Sequence, residues 1–120
     1  MKHQREIKRI YKHERVRRHI DGTPQRPRLC LHRSLKNLSA QVIDDLSQKV
    51  LFGRSTLSKD IREKVKDGGN VEGAVVFGEL FAAKVKAAGI TKVAFDRGGY
   101  IYHGRIKAFA EGARKGGLEF

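Results

Sequence analysis

Apolar and polar residues alternate along three short stretches of the chain, at residues 28–33, 38–43 and 49–54. Successive side chains of a β-strand point to opposite sides, so this alternation predicts three strands, each with one apolar side. In the third stretch, Val50 and Phe52 are predicted to share that side. The connections between the stretches have hairpin lengths, which predicts an antiparallel meander.

After these three stretches, the apolar residues recur at helical spacing. Leu57, Ile61 and Val65 recur at intervals of four residues, which predicts a short helix. Asn70 is of a type that caps helix N-termini, and Gly89 is of a type that ends helices. We therefore predict a longer helix between these two residues.

Small residues recur along that longer helix, at Ala74, Gly78 and Ala82. A glycine in the middle of a helix costs about 1 kcal/mol relative to alanine, so close packing is the expected reason for Gly78. We predict that this ridge lets the helix lie close on the sheet.

The last third of the chain carries one more strand and one more helix. Residues 92–96 form a short apolar run of the kind that makes a buried parallel strand after a crossover. Ile106, Phe109, Ala110 and Ala113 have the spacing of an apolar helix face, which predicts a second main helix. Leu118 and Phe120 can fold back onto it.

These elements predict a single α/β domain over residues 23–120. Its mixed sheet has about four strands, namely the antiparallel meander and one parallel strand after a β-α-β crossover, and it packs with two main helices. The domain is expected to begin at a turn over residues 21–24.

Residues 1–22 are predicted to form a basic N-terminal arm. Ile7, Ile10 and Tyr11 are too few to hold a helix on a core. We expect the arm to be disordered or partly helical when free, and to order when phosphates neutralise its charge.

The charge of the chain favours a polyanionic partner. Lys and Arg number 26 against 13 Asp and Glu, which gives a net charge of +13 and a pI near 10.3. Residues 1–37 hold twelve of the basic residues and only three acidic ones. This clustering is typical of proteins that bind phosphate backbones, and the alternative is a solvated tail that improves solubility.

Several other classes of protein are disfavoured. The chain contains neither a run of about eighteen apolar residues nor the apolar stretch of a secretory signal, so we expect it to stay in the cytoplasm. Cys30 is the only cysteine, which rules out an internal disulfide and a zinc site built of thiolates. The histidines stand at no metal-ligand spacing from acidic residues or cysteine, and we expect neither a metal nor a cofactor.

The most distinctive stretch, residues 95–107, joins a predicted strand end to a helix start, where backbone N–H groups attract anions. Its basic residues suit phosphates, and its aromatic residues can stack on bases or bond to ribose hydroxyls. In the alternative interpretation, Asp96 caps the turn and pairs with Arg97 or Arg105, while the tyrosines close the core. The candidate RNA ligands are Arg97, Tyr100, Tyr102, His103, Arg105 and Lys107.

A small nuclease is the rival function. Asp44, Asp45, Asp96 and Glu111 could in principle hold two Mg²⁺ ions. The spacing is unfavourable, because the two adjacent aspartates lie at a predicted hairpin turn and are expected to diverge into solvent. An RNA chaperone without preference for one RNA is a third possibility.

Two long motifs resemble the family of large-subunit ribosomal protein eighteen, in its bacterial form. Residues 26–34, RPRLCLHRS, resemble the family's first strand. Residues 95–105, FDRGGYIYHGR, followed by AEGAR at 110–114 and GGLEF at 116–120, are similar to its C-terminal signature in order and spacing. The resemblance extends over nearly the whole chain.

This resemblance implies a structural protein of the large ribosomal subunit that binds 5S ribosomal RNA and helps attach it to 23S ribosomal RNA in the central protuberance. It implies other 5S-associated ribosomal proteins as partners. It implies no catalysis, no membrane, no small-molecule substrate, and a monomer outside the ribosome. Besides the loop residues above, it implies RNA contacts at Arg5, Lys8, Arg9, Lys12, Arg15, Arg17, Arg18, Arg26, Arg28, His32, Arg33 and Ser34.

Overall fold

A four-stranded mixed sheet carries the helices in a computed structural model of the chain, which describes residues 2–17 and 22–120. The elements in chain order are α1 (Lys2–Arg17), β1 (Arg28–Arg33), β2 (Leu38–Asp44), β3 (Lys49–Ser55), α2 (Lys59–Arg62), α3 (Val71–Ala87), β4 (Ala94–Asp96) and α4 (Gly104–Lys115).

The strands are ordered β3-β2-β1-β4. The first three pair antiparallel, as the hairpin-length connections predict, and β4 pairs parallel to β1. The crossover from β3 to β4 runs through α2 and α3 and takes the chain from one edge of the sheet to the other. The predicted α/β fold with a mixed sheet is therefore confirmed.

The core lies between the sheet and helices α3 and α4. Leu29, Leu31 and Val42 from the strands are almost fully buried, as the alternation predicts. The Phe52 ring packs edge-on against Phe81 of α3, with ring centroids 5.5 Å apart.

The prediction that Val50 shares the buried side with Phe52 is wrong. Val42 pairs with Phe52 but Ile43 pairs with Val50. Between these two pairs β3 advances by two residues while β2 advances by one, which is a β-bulge. The side chain of Val50 turns outward and is 56% exposed.

The short helix predicted from Leu57, Ile61 and Val65 is reduced to the single turn α2. Ile61 and Val65 are buried, but Leu57 lies before the turn and is 64% exposed. A spacing of four residues therefore identified two core positions and misplaced the third.

Helix α3 begins and ends as predicted, because the Asn70 side chain accepts a hydrogen bond from the Gly73 N–H and Gly89 has a φ of +92°. The predicted packing partner of its small residues is wrong. A Cβ on Gly78 would lie 2.3 Å from the Phe109 carbonyl oxygen of α4. The ridge therefore brings two helices together rather than a helix and the sheet.

Helix α4 buries the four predicted apolar residues, and the chain then turns back through Gly117, whose φ is +104°. Leu118 is buried, and the Phe120 ring stacks on Phe95 with centroids 5.2 Å apart. These contacts confirm that the last residues fold back onto the domain.

Helix α1 accounts for most of the predicted arm. Ile7, Ile10 and Tyr11 are exposed on it, so these three residues do not hold it on the core, as the sequence indicated. The predicted turn over residues 21–24 includes Asp21, which lies outside the described residues; backbone hydrogen bonds between Thr23 and Arg26 close a turn just after it.

Among residues 2–17 and 22–120, no helix has the length and apolar character needed to cross a membrane.

Candidate nucleic-acid interface

The loop between β4 and α4 is shaped by two adjacent glycines with positive φ, Gly98 at +69° and Gly99 at +82°. A side chain at either position would be strained, and a Cβ on Gly99 would lie 2.4 Å from the Arg9 carbonyl oxygen. The glycine pair therefore lets helix α1 lie directly against the loop.

Asp96 sits at the centre of this contact and is fully buried. One carboxylate oxygen accepts hydrogen bonds from Arg28 Nη1 at 2.9 Å and from His13 Nε2 at 2.7 Å, and the other accepts from the Gly98 N–H. Burial by itself raises the pKa of Asp96, but the bonds from His13, Gly98 and Arg28 bring it below its usual value. Asp96 is therefore a structural anion that joins α1, β1 and the loop.

Asp45 is the second carboxylate of this network. It accepts from Arg28 Nε at 3.1 Å and from the Gly22 N–H at 2.6 Å, and the Arg17 guanidinium lies 3.6 Å away. Desolvation opposes ionisation here too, yet the Arg28 and Gly22 hydrogen bonds lower the pKa of Asp45. The prediction that this side chain points into solvent is wrong, because it anchors a nearly buried arginine.

The inner side of α1 is held to the body by polar contacts. Arg9 Nη1 donates to the Gly98 carbonyl at 2.8 Å, His13 bonds to Asp96, and Arg17 lies beside Asp45. Two predicted RNA ligands, Arg9 and Arg17, thus contribute to docking the helix. The structure brings His13 into this set, although the sequence did not predict a structural role for it.

The outer side of α1 leaves four predicted ligands exposed: Arg5, Lys8, Lys12 and Arg15. They recur at intervals of three or four residues, so they form one row along the helix. Arg18 lies outside the described residues. Within residues 2–17 and 22–120, no carboxylate pairs with these four cations, so their charge is available to a ligand.

Tyr100 is buried, so its ring is not open for stacking on a base. The guanidinium carbons of Arg9 and Arg33 each lie 4.9 Å from its ring centroid. Its hydroxyl accepts from the Arg33 backbone N–H at 3.2 Å and lies 3.1 Å from His32 Nδ1. Tyr100 therefore orients two of the predicted cations, in agreement with the alternative in which a tyrosine closes the core.

Arg105 cross-links the loops of the body. Its guanidinium donates to the Ser34 carbonyl at 2.7 Å and to the Gly68 carbonyl at 3.0 Å. Burial, the largest cause, and the neighbouring Arg33 lower the pKa of Arg105. The alternative pairing of Asp96 with Arg97 or Arg105 is wrong, since Asp96 bonds to Arg28 and His13.

The remaining predicted ligands are mainly on the surface. Tyr102 is half-buried with its hydroxyl 3.4 Å from Arg114 Nη1, and Arg26 donates to the Val93 carbonyl at 3.1 Å. Their RNA contacts stay predictions. The other exposed members of the set are His32, Arg33, Ser34, Arg97, His103 and Lys107.

A groove of about 670 Å³ runs between α1 and the body, and we call it the arm groove. It combines basic residues from the arm with others from β1 and α4. Leu35 and Ile101, neither of which the sequence predicted to be a ligand, also line it. Its lining residues are Arg5, Glu6, Lys8, Arg9, Lys12, Arg33, Ser34, Leu35, Gly99, Tyr100, Ile101 and Arg105.

The carboxylates proposed for a nuclease do not converge on an open site. Asp45 and Asp96 approach each other only with the Arg28 guanidinium between them, where a cation of the protein occupies the place of a metal. Asp44 is buried at the hairpin turn, where it accepts from the Leu46 N–H and from Ser47 Oγ. Glu111 lies 3.9 Å from Lys107 on the surface of α4.

Ligand-type atoms of His13, Cys30 and Asp96 lie within 4.8 Å of one another. Sequence spacing did not reveal this cluster, since its members come from three elements. Burial, the largest cause, and the nearby Asp96 carboxylate raise the pKa of the Cys30 thiol to about 11, which keeps it protonated at neutral pH. The Asp96 oxygens already accept three hydrogen bonds, so the cluster is better suited to structure than to metal binding.

Comparisons with known proteins agree with these motifs. A family model described as "Ribosomal L18 of archaea, bacteria, mitoch. and chloroplast" matches residues 3–120. The chain is 53% identical over 112 residues to the large ribosomal subunit protein uL18 of Clostridioides difficile, covering 93% of this chain and 92% of that one. It is 50% identical over 119 residues to the protein of the same name from Thermotoga neapolitana, covering 99% and 98% of the two chains.

Proposed function

Because the chain belongs to the ribosomal L18 family, whose members are structural components of the large ribosomal subunit, we propose that it binds 5S ribosomal RNA and helps attach it to 23S ribosomal RNA in the central protuberance. The family is one of ribosomal structural proteins and not of enzymes. The work of the protein is therefore to bind and position RNA.

The observation that carries this proposal is the row of exposed cations on α1, namely Arg5, Lys8, Lys12 and Arg15. Each phosphate that such a residue neutralises releases counterions, so binding weakens with salt at a slope of about −0.7 to −0.9 per contact. The exposed basic residues of β1 and the loop, Arg33 and Arg97, extend this charge onto the rigid body.

Selectivity for one RNA follows from the fixed spacing of these charges. The Asp96 network holds α1 against the body, and Arg105 of α4 bonds to two loops, at Ser34 and at Gly68, so the cations are presented in one arrangement. A folded RNA with matching backbone turns can satisfy this arrangement, whereas a random single strand must first be ordered.

The same proposal includes the partners and the place of action. The protein works in the ribosome beside other 5S-associated ribosomal proteins, in the cytoplasm, and it is a monomer before assembly. Neither a cofactor nor a small-molecule substrate is part of it.

A competition gel shift with labelled 5S ribosomal RNA tests the proposal. We expect saturable binding that unlabelled 5S RNA displaces at much lower concentration than transfer RNA, with and without Mg²⁺. Equal displacement by the two RNAs would instead indicate a general RNA chaperone, and cleavage of the label only in Mg²⁺ would indicate a nuclease. Either result would refute the proposal.

A further inference from the structure

We propose that Asp45 and Gly22 form a clasp that sets the direction in which the basic arm leaves the body, so that Asp45 is a positioning residue that acts on RNA binding through the arm. We call Gly22, Arg28 and Asp45 the arm clasp. This inference rests on the proposed function, because it takes the arm to bind RNA, and it adds what determines where on the RNA the arm lies.

The backbone of Gly22 is tied to Asp45 by two hydrogen bonds. The Gly22 N–H donates to Asp45 Oδ2 at 2.6 Å, and the Gly22 carbonyl accepts from the Asp45 N–H at 3.0 Å. A donor and an acceptor of one residue are thus both held by the same partner, which fixes the orientation of the backbone as well as its position. The chain therefore enters the body at Gly22 in one direction.

The arm clasp has no room for a side chain at position 22. Gly22 is buried, and a Cβ there would collide with the Ile43 carbonyl oxygen and lie 2.5 Å from the Arg28 backbone nitrogen. Both are backbone atoms of strands, which cannot turn aside as a flexible side chain can. The glycine therefore lets the base of the arm lie directly against β1 and β2.

The Asp45 carboxylate also reaches the end of the arm helix. Arg28 donates to both of its oxygens, at 3.1 and 3.2 Å, and the Arg17 guanidinium lies 3.6 Å from Oδ1. Arg17 is the last residue of α1, and Gly22 is the first described residue after it. Asp45 therefore contacts the chain on both sides of residues 18–21, which lie outside the described residues.

The hairpin turn that carries Asp45 is held by contacts of its own. Asp44 is buried, and its carboxylate accepts from the Leu46 N–H at 3.0 Å and from Ser47 Oγ at 2.8 Å. Side-chain hydrogen bonds of this kind stabilise a turn locally. Asp45 is therefore presented to the arm by a turn that needs no contribution from the arm.

The arm clasp is the second of two points that attach α1 to the body. The bond from His13 to Asp96 holds the middle of the helix, whereas Arg17 beside Asp45 holds its end. A helix attached at one point can pivot, and a helix attached at two points has a defined direction. The exposed cations of α1 lie in one row, so this direction decides which phosphates they meet.

Loss of the clasp should therefore change where the arm binds and not how many phosphates it neutralises. The number of phosphate contacts determines the salt slope, which should stay that of the wild type. An arm that is free to pivot must be ordered on binding, and we expect this to weaken the affinity for 5S RNA by about tenfold.

The test maps the position of the arm on 5S RNA with the full-length protein. Tyr11 of α1, which is 66% exposed, is replaced by the photoreactive residue p-benzoylphenylalanine, and its crosslinks to the RNA are located by primer extension. With no other change we expect crosslinks at a few neighbouring nucleotides. With Gly22→Ala we expect crosslinks spread over nucleotides farther apart, weaker binding and an unchanged salt slope.

Asp45→Asn is the second clasp variant, because it keeps the shape of the side chain and removes its charge. It should also spread the crosslinks and weaken the binding to 5S RNA without changing the salt slope. Urea unfolding verifies that each variant is folded, and Asp45→Asn decides the question if Gly22→Ala is not.

The matched controls make the same kinds of substitution elsewhere on the body. Gly53→Ala adds a methyl group where the nearest atom, Gln41 Cγ, lies 3.6 Å away. Asp60→Asn removes a carboxylate that also lies against two cations, Arg54 at 3.0 Å and Lys84 at 2.9 Å. Both controls should keep the crosslinks and the affinity of the wild type.

Three outcomes would overturn the inference: wild-type crosslinks in the clasp variants, equal changes in the controls, or a salt slope that falls in the clasp variants by about 0.7–0.9 or more, which would mean that the clasp determines the number of contacts. Competition between 5S RNA and transfer RNA is measured in parallel. If the wild type prefers 5S RNA and the clasp variants crosslink as it does, this inference alone fails. If the wild type has no such preference, the proposed function fails.

Discussion

Single residues decide which charges serve the fold and which remain for RNA. Arg28 belongs to the basic excess of the first third of the chain, yet it is nearly buried and bonds to Asp45 and Asp96. Lys8 and Lys12 belong to the same excess and are exposed. Buried ions are tolerated when they are paired and hydrogen-bonded, and Asp96 provides that pairing for both Arg28 and His13.

Replacing Asp96 by Asn should destabilise the protein by about 3 kcal/mol at pH 7, because removing one partner leaves a buried charge uncompensated. The effect should depend on pH with a definite sign. The pKa of Asp96 is lowered on folding from its ordinary value of 3.8, so its stabilisation is present above that value and is lost as the pH falls through the lower folded-state pKa. Urea unfolding of the wild type and of Asp96→Asn at several pH values measures the difference, which should shrink towards zero in acid.

Glu111→Gln is the control, since it removes an exposed carboxylate 3.9 Å from Lys107. Surface pairs of this kind contribute less than about 1 kcal/mol. A difference between Asp96→Asn and the wild type that stayed constant down to the lowest pH would contradict the role given to the Asp96 charge.

At the scale of elements, helix α1 is placed by complementarity of backbone and polar groups and not by an apolar face. Its carbonyl at Arg9 approaches Gly99 closely, and Arg9 and His13 reach the loop and Asp96. Polar contacts of this kind are partly exposed, so the helix should be less stable than the core helices α3 and α4.

Gly99→Ala should release α1 from the body, because the new methyl group would lie 2.4 Å from the Arg9 carbonyl oxygen and the residue has a φ of +82°. Hydrogen exchange measured by mass spectrometry should show faster exchange of the α1 amides, with the core strands still protected.

Gly104→Ala is the control for Gly99→Ala, because it introduces backbone strain without a close contact. Gly104 also has a positive φ, of +58°, but a Cβ there would meet nothing within 4 Å. Its substitution should cost about 1–2 kcal/mol of stability and leave the relative protection of α1 unchanged. Equal exchange of α1 in the two variants would show that the glycine contact does not hold the helix.

At the scale of the whole molecule, the chain combines a rigid α/β body with a charged helix that lies across one end of it. The network around Asp96 joins residues from α1, β1 and β4, so the body presents the arm in a fixed direction. Loss of the arm should therefore reduce the affinity for RNA more than it reduces the stability of the body.

Deleting residues 1–20 should weaken binding to 5S RNA by orders of magnitude and reduce the dependence on salt, because each lost phosphate contact removes about 0.7–0.9 from the slope. The body should still unfold cooperatively, since none of the arm residues whose side chains the structure describes belongs to the apolar core. Filter binding at several salt concentrations and thermal unfolding measure the two effects.

The control neutralises four exposed lysines outside the interface, at positions 49, 59, 64 and 66, to Gln. It removes as many charges as Arg5, Lys8, Lys12 and Arg15 carry. An unchanged affinity after deletion of the arm, or an equal loss in the control, would refute the arm's specific role.

The sequence by itself determined the class of fold, the strands β1 and β2, the caps of α3, the face of α4 and the excess of positive charge. Periodicity and cap residues are local signals, which depend on neighbours a few positions away. The family resemblance, which the comparisons confirm, came from equally local motifs.

Only the tertiary structure decided which basic residues face inward and what each face packs against. His13 and Asp96 meet from positions 83 residues apart, Gly78 faces α4 and not the sheet, and Leu35 and Ile101 come together beside α1. The period of a pattern tells which side of a helix or strand a residue occupies. Which other element that side packs against is determined by the packing of the whole chain. An arginine in a basic segment therefore has the same sequence signature whether it binds a buried carboxylate or a phosphate.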